Sequence, residues 1–286
     1  MAYIFTHDDK KERERLAAIE AIGDPFTTEC LDKIGVGEGW HCLEIGGGGG
    51  SITEWLCQRV GRNGKVVATD LQTKFLEAID ASNLEVRRHN LTTDALEQES
   101  FDLVSARKVL EHLHKPSEAL GRMADAVRPR GWLLVEDTDL ATFRRFSFPH
   151  PERVERGYLK FVEAMSGAGF QPTFAKGLAE EFRSRGLQDV HFVCPIPVGF
   201  SFPAELQALG LEPSEQKHFP QKPEWNGSDD KIGKVYRMTF ERLRERVTTA
   251  GLMTAEEVAQ FMEDIQSPEF GAATGFHCAA WGRKPA

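Results

Sequence analysis

The sequence predicts an α/β protein built on a doubly wound, seven-stranded, mostly parallel sheet with an antiparallel last strand and helical cap insertions. Two observations predict this class. Between residues 41 and 137, short runs rich in β-branched or apolar residues alternate with segments of helical period. Such alternation implies right-handed crossovers and a parallel sheet covered on both faces. In addition, five consecutive glycines, residues 46–50, separate the first strand-like run from the first helical one, the place of a nucleotide-binding turn.

HCLEI, KVVATD, LEVRRHN, FDLVSA and GWLLVED read as strands one to five, with helical periods in SITEWLCQRVG, TKFLEAID and SEALGRMADAVR. Upstream, Leu16, Ile19 and Ile22 give an apolar helical face, and Asp24-Pro25 is expected to end that helix before a second one over FTTECLDKIG. After Asp137, residues 138–151 (with FRRFSFPHP) read as loop, followed by helices over ERVERGYLKFVEAMSGAG and KGLAEEFRSRG. LQDVHFVCPIPVGF and FGAATGFHCAAWGRK read as strands six and seven. The segment between them holds two more helices, VYRMTFERLRERVTTAG and TAEEVAQFMEDI. An insertion of that length in a compact domain is usually functional, and it reads as a substrate-covering cap. The organisation expected is an N-terminal helical lid (1–38), a cofactor-binding core (39–140), a helical insert with the last core helix (141–186), and strands six and seven (187–286) around a cap insertion (200–268).

The bulk properties narrow the function classes. Hydrophobic content of 41% and charged content of 28% are those of an ordinary globular enzyme. A net charge of −9 without any Lys/Arg-rich run disfavours nucleic acid, whose phosphates call for a basic face; small neutral or cationic acceptors fit better. The five cysteines form no CxxC pair, so they read as free, mostly buried thiols of a reducing compartment rather than a disulfide framework or zinc site. The N-terminus has no apolar signal region and no stretch is long enough to span a bilayer, so a soluble, cytoplasmic protein without membrane partners is expected.

In LEIGGGGGSIT a linker reading fails, because an apolar strand runs into an amphipathic helix with no residues to spare. The ligand is indicated by Glu44, which makes E-x-G-x-G-x-G of residues 44–50. A carboxylate there repels a pyrophosphate and attracts a cationic ligand end, such as the ammonium and sulfonium of S-adenosylmethionine. Asp70, 26 residues after Glu44, ends the second strand, where a carboxylate can accept both ribose hydroxyls; it can also cap the following turn.

These motifs, with VVATD, FDLVSARKVLEHL and RPRGWLLVED, resemble the class I S-adenosylmethionine-dependent methyltransferases, of the small-molecule type similar to the ubiquinone/menaquinone group. The likeness covers roughly residues 40–140, and the termini are similar to those of a bacterial natural-product subgroup. It implies a Rossmann-like core in which Glu44, Gly46, Gly48 and Gly50 hold the methionine end, Asp70 the ribose, and Leu71 the adenine. Asn90 stands where the family commonly has an acid. Its amide can still serve the adenine edge, with Leu91 beside it and Asp94 as a rival. Ala106 and Arg107 would lie beside the methionyl moiety.

Methyl transfer depends on alignment and exclusion of water, and needs a base only when the acceptor sheds a proton. His112, after strand four, is the candidate base; its alternative is a half-buried, hydrogen-bonded structural histidine. Glu136, Asp137 and Asp139 form an acidic cluster after strand five, suited to orienting a cationic acceptor or to plain solvation. Ser105 offers no further acid, so no metal is expected. Residues 143–150 either line the acceptor pocket or pack in the cap. The terminus with Tyr3 and Phe5 either covers the cofactor or docks on a second subunit through the N-terminal helices. The rivals are an NAD(P)-dependent oxidoreductase, for which no Tyr-x-x-x-Lys follows strand four, and a methyltransferase fold with altered chemistry.

Overall fold

A computed structural model describes residues 9–147, 150–194, 231–266 and 271–286. Its strands are β1 (His41–Ile45), β2 (Lys65–Asp70), β3 (Leu84–Arg88), β4 (Phe101–Arg107), β5 (Val127–Ser147), β6 (Gln188–Val193) and β7 (Gly271–Arg283). They form one sheet in the order β3-β2-β1-β4-β5-β7-β6. Pairings among the first five strands are parallel, and β7 runs antiparallel to both β5 and β6. The seven-stranded, mostly parallel sheet with an antiparallel last strand is therefore as expected.

Alternating residues send side chains to opposite faces of the sheet. On one face Cys42, Val66, Leu103, Leu134 and Trp281 pack under helices α1 (Asp9–Ile34) and α2 (Ser51–Val60) through Cys30, Leu31, Ile34, Ile52, Leu56 and Val60. On the other, Leu43, Ile45, Val104, Val135 and Ala280 meet Leu120 and Met123 of α3 (Pro116–Ala126) and Leu178 and Phe182 of α5 (Leu178–Ser184). A third core lies off the sheet: Tyr158 and Phe161 of α4 (Pro151–Gly167), Phe240 and Leu243 of α6 (Lys231–Thr249), and Phe261 and Ile265 of α7 (Ala255–Gln266). Phe161 stacks on Phe261 with ring centroids 5.0 Å apart, and Gly157 of α4 leaves the space that the Phe261 ring fills.

Several expectations are corrected. α1 is one 26-residue helix with Pro25 inside it, not two helices broken at Asp24-Pro25. A proline inside a helix costs about 3 kcal/mol, through the lost N–H and the clash with the carbonyl four residues back. Burial of Cys30, Leu31 and Ile34 beyond it offsets that cost at roughly 1.5–3 kcal/mol for each large side chain. The turns around the proline are also held by Thr28 Oγ1 donating to Asp24 O (2.9 Å), and Thr27 Oγ1 lies 3.1 Å from Gly23 O. TKFLEAID forms only a single 3-10 turn, Leu76–Ala78, in the connection between β2 and β3. Residues 138–147, expected as loop, continue β5, paired across a register shift with the N-terminal part of β7. The sixth strand ends at Val193, and residues 195–200 of that expectation lie outside the described residues.

The cysteines are the sharpest correction. Cys30, Cys42 and Cys57 are free and buried, but Cys194 and Cys278 form a disulfide. Val193 pairs with Ala279 in the β6–β7 ladder, so the next residue on one strand faces the preceding residue on the other, with Cα atoms 4.3 Å apart. A sequence separation of 84 hides that adjacency from any local motif. Alkylation of the denatured, unreduced protein is expected to label three thiols, and prior reduction to raise the number to all five, as read by intact mass. Five labels without reduction would rule the cross-link out.

Candidate functional site

β1 reverses into α2 through the glycine turn. Gly46 sits at φ +74, a conformation strained for any side chain, and a Cβ there would also lie 2.3 Å from Val109 Cγ2. The N–H groups of Gly46 and Gly47 both donate to Thr69 O, at 2.7 and 3.0 Å, which ties the turn to the end of β2. Asp70, one residue on, accepts from Gly48 N at Oδ2 (3.0 Å) and from Gln72 N at Oδ1 (3.0 Å). The strand-end carboxylate is thus drawn onto the glycine turn and also caps the turn that follows, and its oxygens retain lone pairs for further donors. Burial raises its pKa, against those backbone donors.

Glu44 is buried behind the turn, where Thr53 Oγ1 donates to its Oε2. Burial pushes its pKa up to about 7, opposed by the Thr53 hydrogen bond and the Arg107 charge. The opposite side of the turn is covered by α1. A Cβ on Gly48 would lie 3.5 Å from Leu16 Cδ2, and one on Gly49 only 2.0 Å from Glu20 Oε1. That glutamate oxygen is buried and has no hydrogen-bond partner among the described residues. A cradle without Cβ atoms, a strand-end carboxylate and an orphaned buried acceptor together suit a ligand with a ribose and a cationic end.

Beside the turn, a chain of polar groups crosses from α1 over three strands. Arg107, the last residue of β4, donates through Nη1 to Asp24 Oδ1 (2.8 Å) and Thr27 Oγ1 (2.9 Å). Ser51 Oγ at the start of α2 donates to the same Asp24 oxygen (3.0 Å). Thr27 Oγ1 donates to Glu136 Oε2 (2.9 Å), and Glu136 is the register partner of Arg107 in β5. His277 of β7 places Nε2 2.8 Å from Glu136 Oε2 and its ring edge-on to Phe26, with centroids 5.3 Å apart. Glu136 Oε1 is buried with no hydrogen-bond partner among the described residues. Burial lowers the His277 pKa, and the Glu136 bond opposes this.

The other sheet face carries a second buried group. After β4, Lys108 at φ 55 bends the chain into a 3-10 turn, Leu110–His112. Glu111 Oε2 accepts from Thr138 N (2.5 Å), and Asp137 Oδ1 accepts from Val109 N (3.1 Å). Burial and the Glu111 charge hold the Asp137 carboxyl well above its ordinary range. His112 lies 3.5 Å from Glu111 Oε1 and edge-on to Phe170, and burial lowers its pKa.

Glu44, Gly46, Gly48, Gly50 and Asp70 therefore converge on one turn, with Arg107 beside it. Leu71 is 40% exposed next to Asp70. Asn90 uses Oδ1 to accept from Thr92 N (3.0 Å) and Thr92 Oγ1 (2.7 Å), while Asp94 Oδ2 accepts from Asn90 N. The side chains of Leu91 and Ala106 are buried in the core of the α3 face, so those two residues can present only backbone to a ligand. Tyr3, Phe5, Phe148 and Pro149 lie outside the described residues, as do the side chains of residues 142–149. Arg13, Glu20, Asp24, Thr27 and His277 were not read as site residues from the sequence. No motif marks them, since each gains its place through the packing of α1 or the register of β7.

Comparison with known proteins agrees with this geometry. Residues 43–133 match a family model described as a methyltransferase domain. The chain is 30% identical over 198 residues to methyltransferase str2 of Strobilurus tenacellus, covering 66% of this chain and 70% of that protein. It is 34% identical to the ubiquinone/menaquinone biosynthesis C-methyltransferase UbiE of Hahella chejuensis, over 37% of this chain and 45% of the relative. Among solved structures, Haemonchus contortus phosphoethanolamine N-methyltransferase 2, in complex with phosphomonomethylethanolamine and S-adenosylhomocysteine, superposes with a TM-score of 0.52 at 14% identity. That match covers 96% of this chain and 53% of the other, and at such identity it speaks for the fold alone. The glycine turn, the strand order and the relatives agree: the chain belongs to the class I S-adenosylmethionine-dependent methyltransferases.

Proposed function

We propose that this methyltransferase acts on a small molecule that gives up a proton as it is methylated, with the acceptor held near the ends of β4, β5 and β7. When bound, S-adenosylmethionine supplies the methyl group from its sulfonium. Glu44, the glycines at 46, 48 and 50, and Asp70 hold it, with Leu71, Asn90, Leu91, Ala106 and Arg107 around the adenosine and methionyl portions.

The observation that carries the acceptor reading is the buried pair of Glu136 and His277. With its Nε2–H given to the Glu136 carboxylate, the imidazole presents Nδ1 as a proton acceptor. Burial disfavours the charged ring, against the Glu136 bond, which suits an imidazole that accepts a proton. The orphaned Glu136 Oε1 calls for a donor, which the hydroxyl or ammonium of an acceptor supplies. His112 is the second candidate base, from the other sheet face. Likeness to a C-methyltransferase of quinone biosynthesis fits this reading, because methylating carbon replaces a C–H and must release a proton. The net charge of −9 and the α4–α6–α7 helical core favour a small molecule over nucleic acid. Likeness to str2 supports a role in secondary metabolism.

Screening phenolic, enolic and amine acceptors with methyl-labelled S-adenosylmethionine tests the proposal; transfer only to nucleic acid or protein would overturn it. With an acceptor found, His277→Gln is expected to lower kcat about 100-fold or more, the scale of a general base, while leaving affinity for S-adenosylhomocysteine unchanged. The same loss in His112→Gln alone would move the base to that residue. Asp70→Ala is expected to weaken S-adenosylhomocysteine binding about tenfold, ~1.4 kcal/mol; unchanged affinity would mean that the ribose is held elsewhere. Glu44 gives a pH signature. Its pKa is raised on folding to about 7, so the native state holds a proton that the unfolded chain releases above the ordinary carboxyl range. Stability is then lost as pH rises from about 4.5 towards 7, by about 3 kcal/mol. Glu44→Gln, which cannot ionise, is expected to flatten this fall in urea titrations; an unaltered slope would show that Glu44 does not titrate there.

A further inference from the structure

α1 brings a pair of opposite charges over the glycine turn. Arg13 and Glu20 lie seven residues apart, on the same side of the helix two turns from one another. Arg13 Nη1 donates to Glu20 Oε2 at 2.8 Å. The guanidinium also lies over the Phe75 ring, 5.9 Å from its centroid, which holds it towards the segment after β2. Both groups reach the turn: a Cβ on Gly49 would be 2.6 Å from Arg13 Nη1 and 2.0 Å from Glu20 Oε1.

The two side chains differ in environment. Arg13 is 46% exposed, whereas the Glu20 side chain is only 12% exposed. An ion pair whose cation is half exposed contributes little to stability, so the mutual bond does not account for burying the glutamate. One of its oxygens is satisfied by Arg13, and Oε1 is enclosed without a hydrogen-bond partner among the described residues. A buried carboxylate oxygen left without a donor is costly, and it lies directly against the turn that receives the cationic end of the cofactor. Glu44 attracts that end from behind the turn, with its Oε2 already taken by Thr53. Glu20 lies on the opposite side, between α1 and the turn.

An α-amino acid end carries an ammonium with three donors and a carboxylate that accepts paired donors. A glutamate and an arginine side by side are its chemical complement. We propose that Arg13 and Glu20 clamp the amino-acid end of S-adenosylmethionine, Glu20 Oε1 accepting from its ammonium and Arg13 donating to its carboxylate. The inference rests on the reading that the glycine turn takes the methionine end, and is independent of the acceptor. α1 is then part of the cofactor site rather than a cover over it.

Two ligands separate the clamp from simple packing by α1. S-adenosylhomocysteine has both charges; S-adenosyl-3-thiopropylamine keeps the ammonium and lacks the carboxylate. Calorimetry on the full chain, with displacement of S-adenosylhomocysteine for weak binders, is expected to show Arg13→Ala weakening S-adenosylhomocysteine about tenfold or more while changing the thiopropylamine by less than about twofold. Glu20→Gln is expected to weaken both by about tenfold. Should either variant fail to fold by circular dichroism, Arg13→Lys and Glu20→Asp carry the same comparison at smaller amplitude. Arg13 variants that weaken both ligands alike would reduce α1 to a packing element and overturn the clamp, as would Glu20 variants that weaken neither. Wild-type protein that binds neither ligand would remove the cofactor reading itself, a failure distinct from loss of the clamp alone.

Discussion

The end of β1 must turn within five residues into α2, and the rest of the site depends on that constraint. Positive φ at Gly46, Gly48 and Gly50 makes the turn possible. Because the backbone there carries no side chains, Val109 can pack from below and Glu20 from above. The same tight path points the Gly46 and Gly47 N–H groups at Thr69 and the Gly48 N–H at Asp70. A wider turn would separate the strand-end carboxylate from the loop and lift α1 from both.

α1 is the second organising element, and its two halves do different things. The C-terminal half is anchored in the sheet core through Cys30, Leu31 and Ile34. From that anchor it sends Thr27 and Asp24 to the charged ends of β4 and β5. The N-terminal half runs outward and is held against α6 by Glu12, which is buried between Arg15 and Arg242. One continuous helix therefore links the glycine turn, the buried Glu136–His277 pair and the helical core beyond it.

The fold, and the convergence of Glu44, the glycine run and Asp70 on one turn, are legible because their signals are local. Strand and helix periods, the glycine run, Glu44 before it and Asp70 after it can each be read within a short window. What escaped was set by tertiary contact. Pro25 reads as a breaker, yet burial of the residues beyond it keeps the helix whole. Residues 138–147 read as loop because their partner in β7 lies more than a hundred residues away. His277 reads as one residue of an ordinary strand until β7 is placed antiparallel to β5, which sets it against Glu136. No sequence signal marks Arg13 and Glu20, because the turn they meet is remote in sequence.

The Cys194–Cys278 link has an evolutionary reading. It joins two adjacent strands at the point where the chain departs on a long excursion that includes α6 and α7 and then returns. The link pins the register of β6 and β7 at that point, so the intervening segment can lengthen, shorten or change sequence without disturbing it. A lineage could then exchange the segment between the two cysteines while keeping the sheet, and so diversify in the molecules it modifies from a single inherited engine.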